Sequence, residues 1–400
     1  MTVDLSAPEL LDDPYPYLAE LRDAGPLLRA DDGTDGAGRW VATTHAAVSA
    51  VLRNRKLGRL WTDWEPTEQM EPFNTLHRNQ LMENEPPEHT RMRRLLAGAF
   101  GRGHVERMGP RIETLTDTML DALASDRPVD ILAAYAEPMP VYVIADLLGV
   151  PREDHVRLRD WSQAIVHMYE QGVDEATRAA AVTASEEFAA YVREVVERRR
   201  REPGEDLVTD LVREVDDSVD GKGARLSDDE LVATVVLLLN AGHEASVNVF
   251  GNGMHALLSH RDQLARITSG EVSVATALEE LIRFDAPLQM FERTATVDVE
   301  IAGETIRAGE TVACLMGSAN RDPAAFDRPD AFDVGRSPNP HVGFGMGLHF
   351  CLGAPLARLE LEITVRRLLE RYPDLALTGR SPRRPTWVLR GFESIEVTLS

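Results

Sequence analysis

The residue best suited to chemistry is Cys351, one of only two cysteines among 400 residues. It lies in a glycine-rich segment, residues 344–353, directly before a segment with the apolar periodicity of a helix. Pro355 suits the first turn of that helix, where a missing N–H has no energetic cost. Free backbone N–H groups and the helix dipole stabilise a thiolate at such a position. A stabilised thiolate serves as a metal ligand, a covalent nucleophile or a redox partner.

The rest of the sequence argues against some of these roles for Cys351 but does not identify a single one. The second cysteine, Cys314, belongs to an apolar strand pattern and is most simply a core residue. Because no cysteine lies at C-x-x-C spacing from Cys351, a structural zinc site and a dithiol redox pair are unsupported. A nucleophilic cysteine needs a general base nearby in space, which sequence neither shows nor excludes. A lone cysteine is also often an inert buried residue.

The glycine-rich segment has a longer pattern, Phe344-x-x-Gly347-x-His349-x-Cys351-x-Gly353. It resembles the haem-binding signature of the cytochrome P450 family. In that family the cysteine thiolate is the axial ligand of the haem iron and donates electron density that favours O–O cleavage. The resemblance implies haem b (heme b, iron protoporphyrin IX) as cofactor and Cys351 as the metal ligand. It also implies that Phe344 and Gly353 belong to the binding loop and that His349 contacts a propionate.

Two further segments carry candidate contacts to the cofactor. Prolines end a loop at residues 86–87 and begin a helix that places His89 and Arg93 one turn apart on one face. Two such donors can clamp an anionic group, and the resemblance implies a haem propionate. Arg293 matches the arginine that pairs with a propionate in the family. The ordinary alternative for the first pair is a basic helix face in solvent.

A long helix is predicted from a capping box at Ser227 and Glu230 to about Leu258, or ~45 Å at 1.5 Å per residue. Its first half is apolar nearly all round, as expected for a helix buried in the protein centre. A polar cluster with a glycine follows at residues 240–246. Such a cluster is costly in a buried helix and indicates a functional site.

This cluster resembles the oxygen-binding helix of the same family, in which a small residue and a glycine open the helix over the haem. There an acid and a threonine pass protons to dioxygen. Ala241, Gly242 and Glu244 match that pattern, whereas Ala245 stands where most members have threonine. Ser246 is one residue further and is turned by ~100° about the helix axis. We hypothesise that water or a substrate hydroxyl completes the relay from Glu244; the alternative is that Ala245 is a tolerated small residue.

Other matches concern the substrate pocket and the scaffold. The extended segment after the helix that ends near residue 285 matches positions that line the pocket, namely Leu288, Gln289, Met290 and Phe291. A long irregular connection, residues 57–80, matches the segment that overlies the pocket. Glu280 and Arg283 are at i,i+3 spacing and match a buried scaffold ion pair.

Local patterns predict the remaining elements. The predicted helices and strands are a helix at residues 17–22, a strand at 40–43, a helix at 45–53, a run of amphipathic helices from 111 to 201, and strands at 297–301, 305–306 and 311–315. The fold expected from the resemblance is mainly α with small β-sheets. It forms one domain over residues 1–400, with the haem between the long central helix and the Cys351 loop.

Composition excludes several classes of partner. The net charge of −23 argues against nucleic acid and anionic membranes as partners. The N-terminus has no basic and apolar leader pattern, and no apolar run has the length of a membrane span. Two cysteines argue against a disulfide framework. We therefore expect a cytoplasmic protein with no membrane and no nucleic-acid partner.

The resemblance implies a haem-thiolate monooxygenase that uses dioxygen and hydroxylates a small organic substrate. A polyketide- or terpenoid-like intermediate of secondary metabolism fits the family. Electrons are expected from a ferredoxin and its ferredoxin reductase, because no segment resembles a flavin or iron–sulfur domain. Arg91 and Arg94, off the face of His89 and Arg93, are candidate docking residues.

Other functions stay open at this point. The same haem enzyme could perform coupling, desaturation or epoxidation. A peroxide-driven enzyme is opposed by Glu244, because such relatives tend to have arginine there. A non-enzymatic haem sensor would need neither a proton relay nor a redox partner. A helical scaffold without cofactor would purify colourless.

Overall fold

The computed structural model describes residues 3–30, 39–100, 103–123, 127–170, 172–215 and 224–399. The protein is mainly helical, with 57% of residues in helices. Within the described residues the α-helices are α1 (Glu9–Asp12), α2 (Pro14–Ala24), α3 (His45–Arg53), α4 (Thr67–Arg78), α5 (Glu88–Phe100), α6 (His104–Asp121), α7 (Pro138–Leu148), α8 (His155–Val166), α9 (Glu175–Arg201), α10 (Leu207–Arg213), α11 (Asp228–Ser259), α12 (Arg261–Thr268), α13 (Val274–Phe284), α14 (Met316–Ala319) and α15 (Ala354–Arg371). Short 3₁₀ turns lie at Leu81–Glu83, Arg152–Asp154, His167–Tyr169 and Gly347–His349, and a π-helical turn at Leu132–Ala136.

The strands are short and few. In the same described ranges they are β1 (Leu27–Ala30), β2 (Arg39–Ala42), β3 (Leu57–Gly58), β4 (Val129–Asp130), β5 (Met290–Ala295), β6 (Val299–Ile301), β7 (Glu304–Ile306), β8 (Thr311–Leu315), β9 (Ala376–Leu377) and β10 (Glu396–Thr398). They form a five-stranded sheet in the order β1-β2-β8-β5-β3, a three-stranded sheet β4-β10-β9 and a hairpin β6-β7. The mainly α architecture with small sheets is confirmed.

The chain divides into two compact units, each built from separated segments. The strand-containing unit comprises Met1–Gly58, Thr116–Ala136 and Ala245–Ser400, and includes every strand of the described ranges. The helical unit comprises Arg59–Leu115 and Glu137–Glu244. The expectation of one domain over residues 1–400 stays a prediction.

The five-stranded sheet forms the centre of the strand-containing unit because both of its faces are covered. Val312 and Cys314 of β8 pack in one apolar cluster, which includes Val48 and Val51 of α3. Ala313 and Leu315 of the same strand pack in a second cluster, together with Leu18 of α2. Alternate residues of a strand point to opposite faces, so β8 is buried on both. The core position predicted for Cys314 is confirmed.

The N-terminal elements agree with the sequence prediction. Helix α3 has the predicted bounds, and the hydroxyl of Thr44 accepts a hydrogen bond from the backbone N–H of Ala47 at 3.2 Å. This N-cap satisfies one of the free N–H groups at the start of the helix. The predicted strand at residues 40–43 corresponds to β2. The predicted helix at 17–22 is the central part of α2, which is longer at both ends.

The capping box of α11 is also confirmed. The backbone N–H of Glu230 donates to Ser227 Oγ at 3.2 Å, and that of Ser227 donates to Glu230 Oε2 at 2.8 Å. Of the described helices, α11 alone is long and apolar enough to cross a bilayer, but 67% of its most apolar window is buried inside the protein. Burial of this kind is typical of a core helix.

Helix α11 is continuous through the polar cluster at residues 240–246, from Asp228 to Ser259. Gly242 faces α7, where a Cβ would lie 3.4 Å from Cγ1 of Ile144, an ordinary van der Waals distance. The packing therefore does not require glycine at this position, and the oxygen-binding role of the segment stays a prediction.

The prediction of an irregular connection at residues 57–80 is wrong for its second half, which contains α4. Pro72 inside the helix and its many polar residues obscure the periodicity. What holds α4 in place is an aromatic cluster: the His77 ring lies 4.0 Å from that of Phe73 and 4.5 Å from that of Trp61, centroid to centroid. Tertiary packing here overrides a weak local pattern.

His77 predicts an acid-sensitive stability. Burial lowers the pKa of its imidazole to about 4, although a hydrogen bond to the Phe73 carbonyl and the charge of Glu83 act in the other direction. Between pH 6.5 and 4 the unfolded chain therefore binds a proton that the folded protein does not. The contribution of His77 to the free energy of unfolding is fully present above pH 6.5. It is lost as the pH falls toward 4, by about 3 kcal/mol in all.

This prediction is checked by denaturant unfolding at several pH values in the wild type and in His77→Phe. We expect the variant to lose the contribution of His77, about 3 kcal/mol of unfolding free energy across that window. His155 and His255 also have lowered pKa values and stay unchanged in both proteins, so the difference isolates His77. Equal slopes would contradict the assignment.

Candidate functional site

Cys351 lies on a short loop that ends at the N-terminus of α15. Its backbone N–H donates to the Phe344 carbonyl at 2.9 Å, which closes the loop. Helix α15 begins at Ala354 with Pro355 in its first turn, as predicted, and the side chain of Cys351 is exposed. The sulfur is thus accessible near the positive end of a helix dipole.

The two cysteines differ in solvent exposure, and only an exposed cysteine can reach a metal ion outside the apolar core. Cys314 is fully buried, and burial raises the pKa of its thiol to about 12. Cys351 is exposed at a helix N-terminus. Within the described ranges no group of three or more His, Cys, Asp or Glu side chains could hold a metal ion. An exposed cysteine at a helix N-terminus has the chemistry of a single thiolate ligand, as a haem iron requires.

The loop depends on glycine at position 347. Gly347 has a φ of 71°, and a Cβ there would lie 2.5 Å from the carbonyl oxygen of Leu52 at the end of α3. Gly345 also has a positive φ, of 68°, but a Cβ there would meet nothing closer than the carbonyl oxygen of His349 at 3.7 Å. A side chain at 347 would be both strained and in collision with backbone.

We expect Gly347→Ala to displace the Cys351 loop. The left-handed conformation costs about 1–2 kcal/mol for alanine, and the contact with Leu52 adds roughly 1–3 kcal/mol of overpacking. The matched control is Gly309→Ala, which has a φ of 86° and no atom within 4 Å of the new Cβ. Unfolding free energy and haem content measure the effect. Equal losses in the two variants would show that Leu52 exerts no steric constraint on the loop.

In the helical unit, the predicted clamp residues lie on α5. His89 is buried and Arg93 is partly exposed one turn later. Arg91 forms an ion pair with Glu230 and donates to the Arg225 carbonyl at 3.1 Å. The proposed docking role of Arg91 is thereby weakened, because its charge is neutralised within the protein. Arg94 is exposed.

The candidate relay residues lie along α11. Ala241 is exposed, Gly242, Glu244 and Ala245 are partly exposed, and Ser246 is buried. The boundary between the two units falls between Glu244 and Ala245. Their catalytic roles stay predictions.

The segment around Arg293 lies in the strand-containing unit. Arg293 is buried on β5, with its guanidinium 4.7 Å from the ring centroid of Phe291. Gln289 is fully buried and donates to the Ala286 carbonyl at 2.8 Å. Met290 belongs to the apolar cluster beside α2, and Leu288 packs against the same cluster. The assignment of these four residues, 288–291, to a substrate pocket stays a prediction.

Sequence reasoning missed a cluster beside the Cys351 loop. Glu279 of α13 accepts hydrogen bonds from Arg358 of α15 and from His341, and the Arg358 guanidinium lies 4.4 Å from the ring centroid of Phe344. Arg358 follows Cys351 by seven residues, or about two helical turns. That spacing was the available signal, but it does not identify Glu279 as the partner.

A cavity of about 680 Å³ lies in the helical unit and is lined mostly by the segment of residues 57–80 that was predicted to overlie the substrate pocket. Its wall mixes polar and apolar side chains and carries both signs of charge. The residues that line it are Arg59, Leu60, Trp61, Thr62, Asp63, Glu65, Thr67, Arg78, Glu83, Asn84, Glu85, Pro86 and Glu88. Arg59 pairs with Glu83 and Arg78 with Asp63, so its cations are already neutralised.

The side chains present have the chemistry that a haem requires. In the strand-containing unit, the exposed thiol of Cys351 suits the haem iron, and Arg293 and His349 carry donors that suit a propionate carboxylate. In the helical unit, Arg93 and His89 carry donors of the same chemistry.

The chain is similar in sequence and in structure to known proteins. The family model described as Cytochrome P450 matches residues 43–271 and 273–386. The cytochrome P450 monooxygenase PikC of Streptomyces venezuelae is 38% identical over 392 residues, which cover 96% of this chain and 91% of PikC. The polyketide biosynthesis cytochrome P450 PksS of Bacillus subtilis (strain 168) is 34% identical over 399 residues, 97% of this chain and 96% of PksS. The solved structure of P450BioI in complex with an acyl carrier protein ligated to hexadec-9Z-enoic acid has a TM-score of 0.91 at 32% identity, and covers 98% of this chain and 100% of that chain.

Proposed function

Because this chain belongs to the cytochrome P450 family, we propose that it hydroxylates a small polyketide- or terpenoid-like intermediate of secondary metabolism. The protein is a monooxygenase that uses haem b. PksS, a polyketide biosynthesis cytochrome P450, supports the substrate class, and PikC, a cytochrome P450 monooxygenase, supports the reaction class. The observation that carries the proposal is the exposed thiol of Cys351 at the start of α15.

The residues of this chain have separate roles in the proposed reaction. Haem supplies the activation of dioxygen when bound, and the protein supplies ligation, orientation and protons. Cys351 Sγ would hold the haem iron. The donors that would orient the cofactor through its carboxylates are Arg93, Arg293, His89 and His349. The carboxyl group of Glu244 would pass protons on, and Leu288 to Phe291 would exclude water and contact the substrate.

The proton relay needs a specific explanation, because Ala245 has no hydroxyl. Ser246 is buried on a different side of α11 from Ala245, so it is a poor direct substitute. We infer that water or a hydroxyl of the substrate connects Glu244 to dioxygen. The relay then depends on space beside Ala245.

This inference predicts that Ala245→Thr does not raise the fraction of reductant used for product. The added methyl and hydroxyl occupy the space that water or substrate needs. Ala245→Val is the matched control, since it has the same shape without a hydroxyl. Product formed per NAD(P)H consumed is the measurement. A gain in Ala245→Thr that is absent from Ala245→Val would contradict the inference.

The proposed electron donor is a ferredoxin with its ferredoxin reductase. An acidic ferredoxin requires basic contacts, and Arg94 is an exposed candidate on α5. The complex of P450BioI with an acyl carrier protein raises a second kind of partner, a carrier protein that presents the substrate. Free and carrier-bound substrates are therefore both used in the test. The cytoplasm is the proposed location, because ferredoxin and a reducing environment are available there.

The test has three steps. The reduced, carbon-monoxide-bound protein should first show the spectrum of thiolate-ligated haem. A panel of free and carrier-bound polyketide and terpenoid ligands is then screened for displacement of water from the iron. Binders are finally incubated with a surrogate ferredoxin system or with peroxide. Hydroxylated product with ferredoxin supports the proposal, whereas turnover with peroxide alone, or coupled or desaturated products, would favour the alternatives.

A further inference from the structure

A carboxylate on α13 connects the helix after Cys351 to the loop before it. Glu279 Oε1 accepts from Arg358 Nε at 2.6 Å, and Oε2 accepts from Arg358 Nη2 at 2.9 Å. Two parallel charge-assisted bonds of this kind fix both the position and the plane of a guanidinium. Arg358 is therefore held in one orientation on α15.

His341 completes the anchor from the loop side. Its Nε2 lies 2.8 Å from Glu279 Oε2, and its Nδ1 accepts from the backbone N–H of Gly343 at 3.1 Å. The permanent charges of the anchor are therefore held together by contacts from both α15 and the segment before the Cys351 loop.

The guanidinium held by this anchor faces the Cys351 loop. It lies 4.4 Å from the ring centroid of Phe344, whose carbonyl accepts the N–H of Cys351. Hydrogen bonds to Glu279 raise the pKa of Arg358 most, burial lowers it, and the charges of Glu279 and Cys351 raise it further. Arg358 thus places a positive charge against Phe344, the residue whose carbonyl closes the loop that presents the Cys351 sulfur.

We propose that Arg358 is a positioning residue that tunes the electron donation of Cys351, and that Glu279 both holds Arg358 and offsets part of its charge. The proposal rests on the proposed function, because it assumes that Cys351 ligates the haem iron. A cation beside a thiolate stabilises negative charge on sulfur and so reduces donation to the iron. Less donation favours the ferrous state and gives a higher reduction potential.

The charges predict opposite effects for the two partners. Arg358→Met keeps much of the apolar stem but removes the cation, so the reduction potential should fall. The expected change is about tenfold in the ferric-to-ferrous ratio at fixed applied potential, or about 59 mV for one electron. Glu279→Gln removes the offsetting anion, so the potential should rise. Arg358→Lys keeps the charge and should stay near the wild type.

A matched control lies on the same helix. Arg366 pairs with Glu370 at 3.4 Å on the exposed side of α15, and Arg366→Met removes one positive charge there. We expect no change of potential in this variant. Spectroelectrochemical titration of the purified holoenzymes gives the potentials, and the reduced carbon-monoxide spectrum gives the fraction with thiolate ligation.

The outcomes separate this inference from the proposed function. A wild type without a thiolate spectrum would reject the proposed function itself. A wild type with that spectrum, but with shifts of the same sign in Arg358→Met and Glu279→Gln, would reject the inference and indicate a purely structural cluster. The same rejection follows if Arg366→Met shifts as far as Arg358→Met. Opposite shifts, with Arg358→Lys near the wild type, support it even if one variant has a lower haem content.

Discussion

Cys351→Ser is expected to abolish monooxygenation. A serine hydroxyl does not ionise near neutral pH and so supplies no anionic ligand, whereas a thiol at a helix N-terminus does. Loss of a residue that only supports a metal ligand costs up to about 100-fold in affinity or activity, and loss of the ligand should cost at least that. The measurements are turnover and the spectrum of the reduced carbon-monoxide complex.

Cys314→Ser is the matched control for this experiment. Cys314 is fully buried in the apolar cluster beside α3, so its serine variant should lose about 1–3 kcal/mol of stability from a buried hydroxyl. Its thiolate spectrum should be unchanged. If Cys314→Ser lost the spectrum and Cys351→Ser kept it, the assignment of the ligand would be wrong.

The elements that sequence predicted well are those specified by adjacent residues. The capping box of Ser227 and Glu230 places the start of α11, and Pro355 places the start of α15. The apolar run that marks β8 as a buried strand is contained in five residues, Thr311–Leu315. In each case the interactions that decide the structure lie within a few positions of one another, so a local pattern contains them.

The elements that sequence missed depend on contacts between distant segments. Helix α4 is held by contacts of His77 with Trp61 and with the hydroxyl of Tyr169, which is 92 positions away, and its own periodicity is weak. Arg91 is a docking candidate by its position on the predicted helix, but its partner Glu230 is 139 positions away. No spacing rule connects residues so far apart, since their contact exists only after the chain has folded.

In the candidate site, too, local patterns are predictable from sequence and contacts between distant segments are not. The loop from Phe344 to Gly353 has a long pattern that sequence alone identifies, together with its helix. The anchor formed by Glu279 and Arg358 spans 79 positions and has no such pattern. The sequence therefore predicts which atom binds the metal, whereas the charges that act on that atom are visible only in the structure.

Glu280→Gln is expected to cause a large loss of stability. Glu280 and Arg283 are both fully buried, and two guanidinium nitrogens of Arg283 donate to the carboxylate at 2.7 Å. Arg336 and the backbone N–H of Asp333 donate to the same carboxylate. The buried ion pair predicted from the i,i+3 spacing is confirmed, and it has more partners than that spacing implied.

The cost follows from what the substitution leaves behind. The new side chain would be neutral, and its amide would present a donor to groups that are themselves donors. The guanidinium of Arg283 would still donate to the Asn320 and Pro329 carbonyls at 2.8 Å. Its buried positive charge, however, would no longer be paired with the carboxylate of residue 280. Removing one partner of a buried pair costs about 3–5 kcal/mol.

Denaturant titration gives the free energy of unfolding and so measures this loss. Glu271→Gln is the control. Glu271 forms an ion pair with Arg266 at 2.7 Å, but its side chain is 60% exposed, so water replaces the lost contact. An exposed pair of this kind contributes no more than about 1 kcal/mol. A loss in Glu280→Gln as small as that in Glu271→Gln would mean that Arg336 and Arg283 find other partners when the carboxylate is gone.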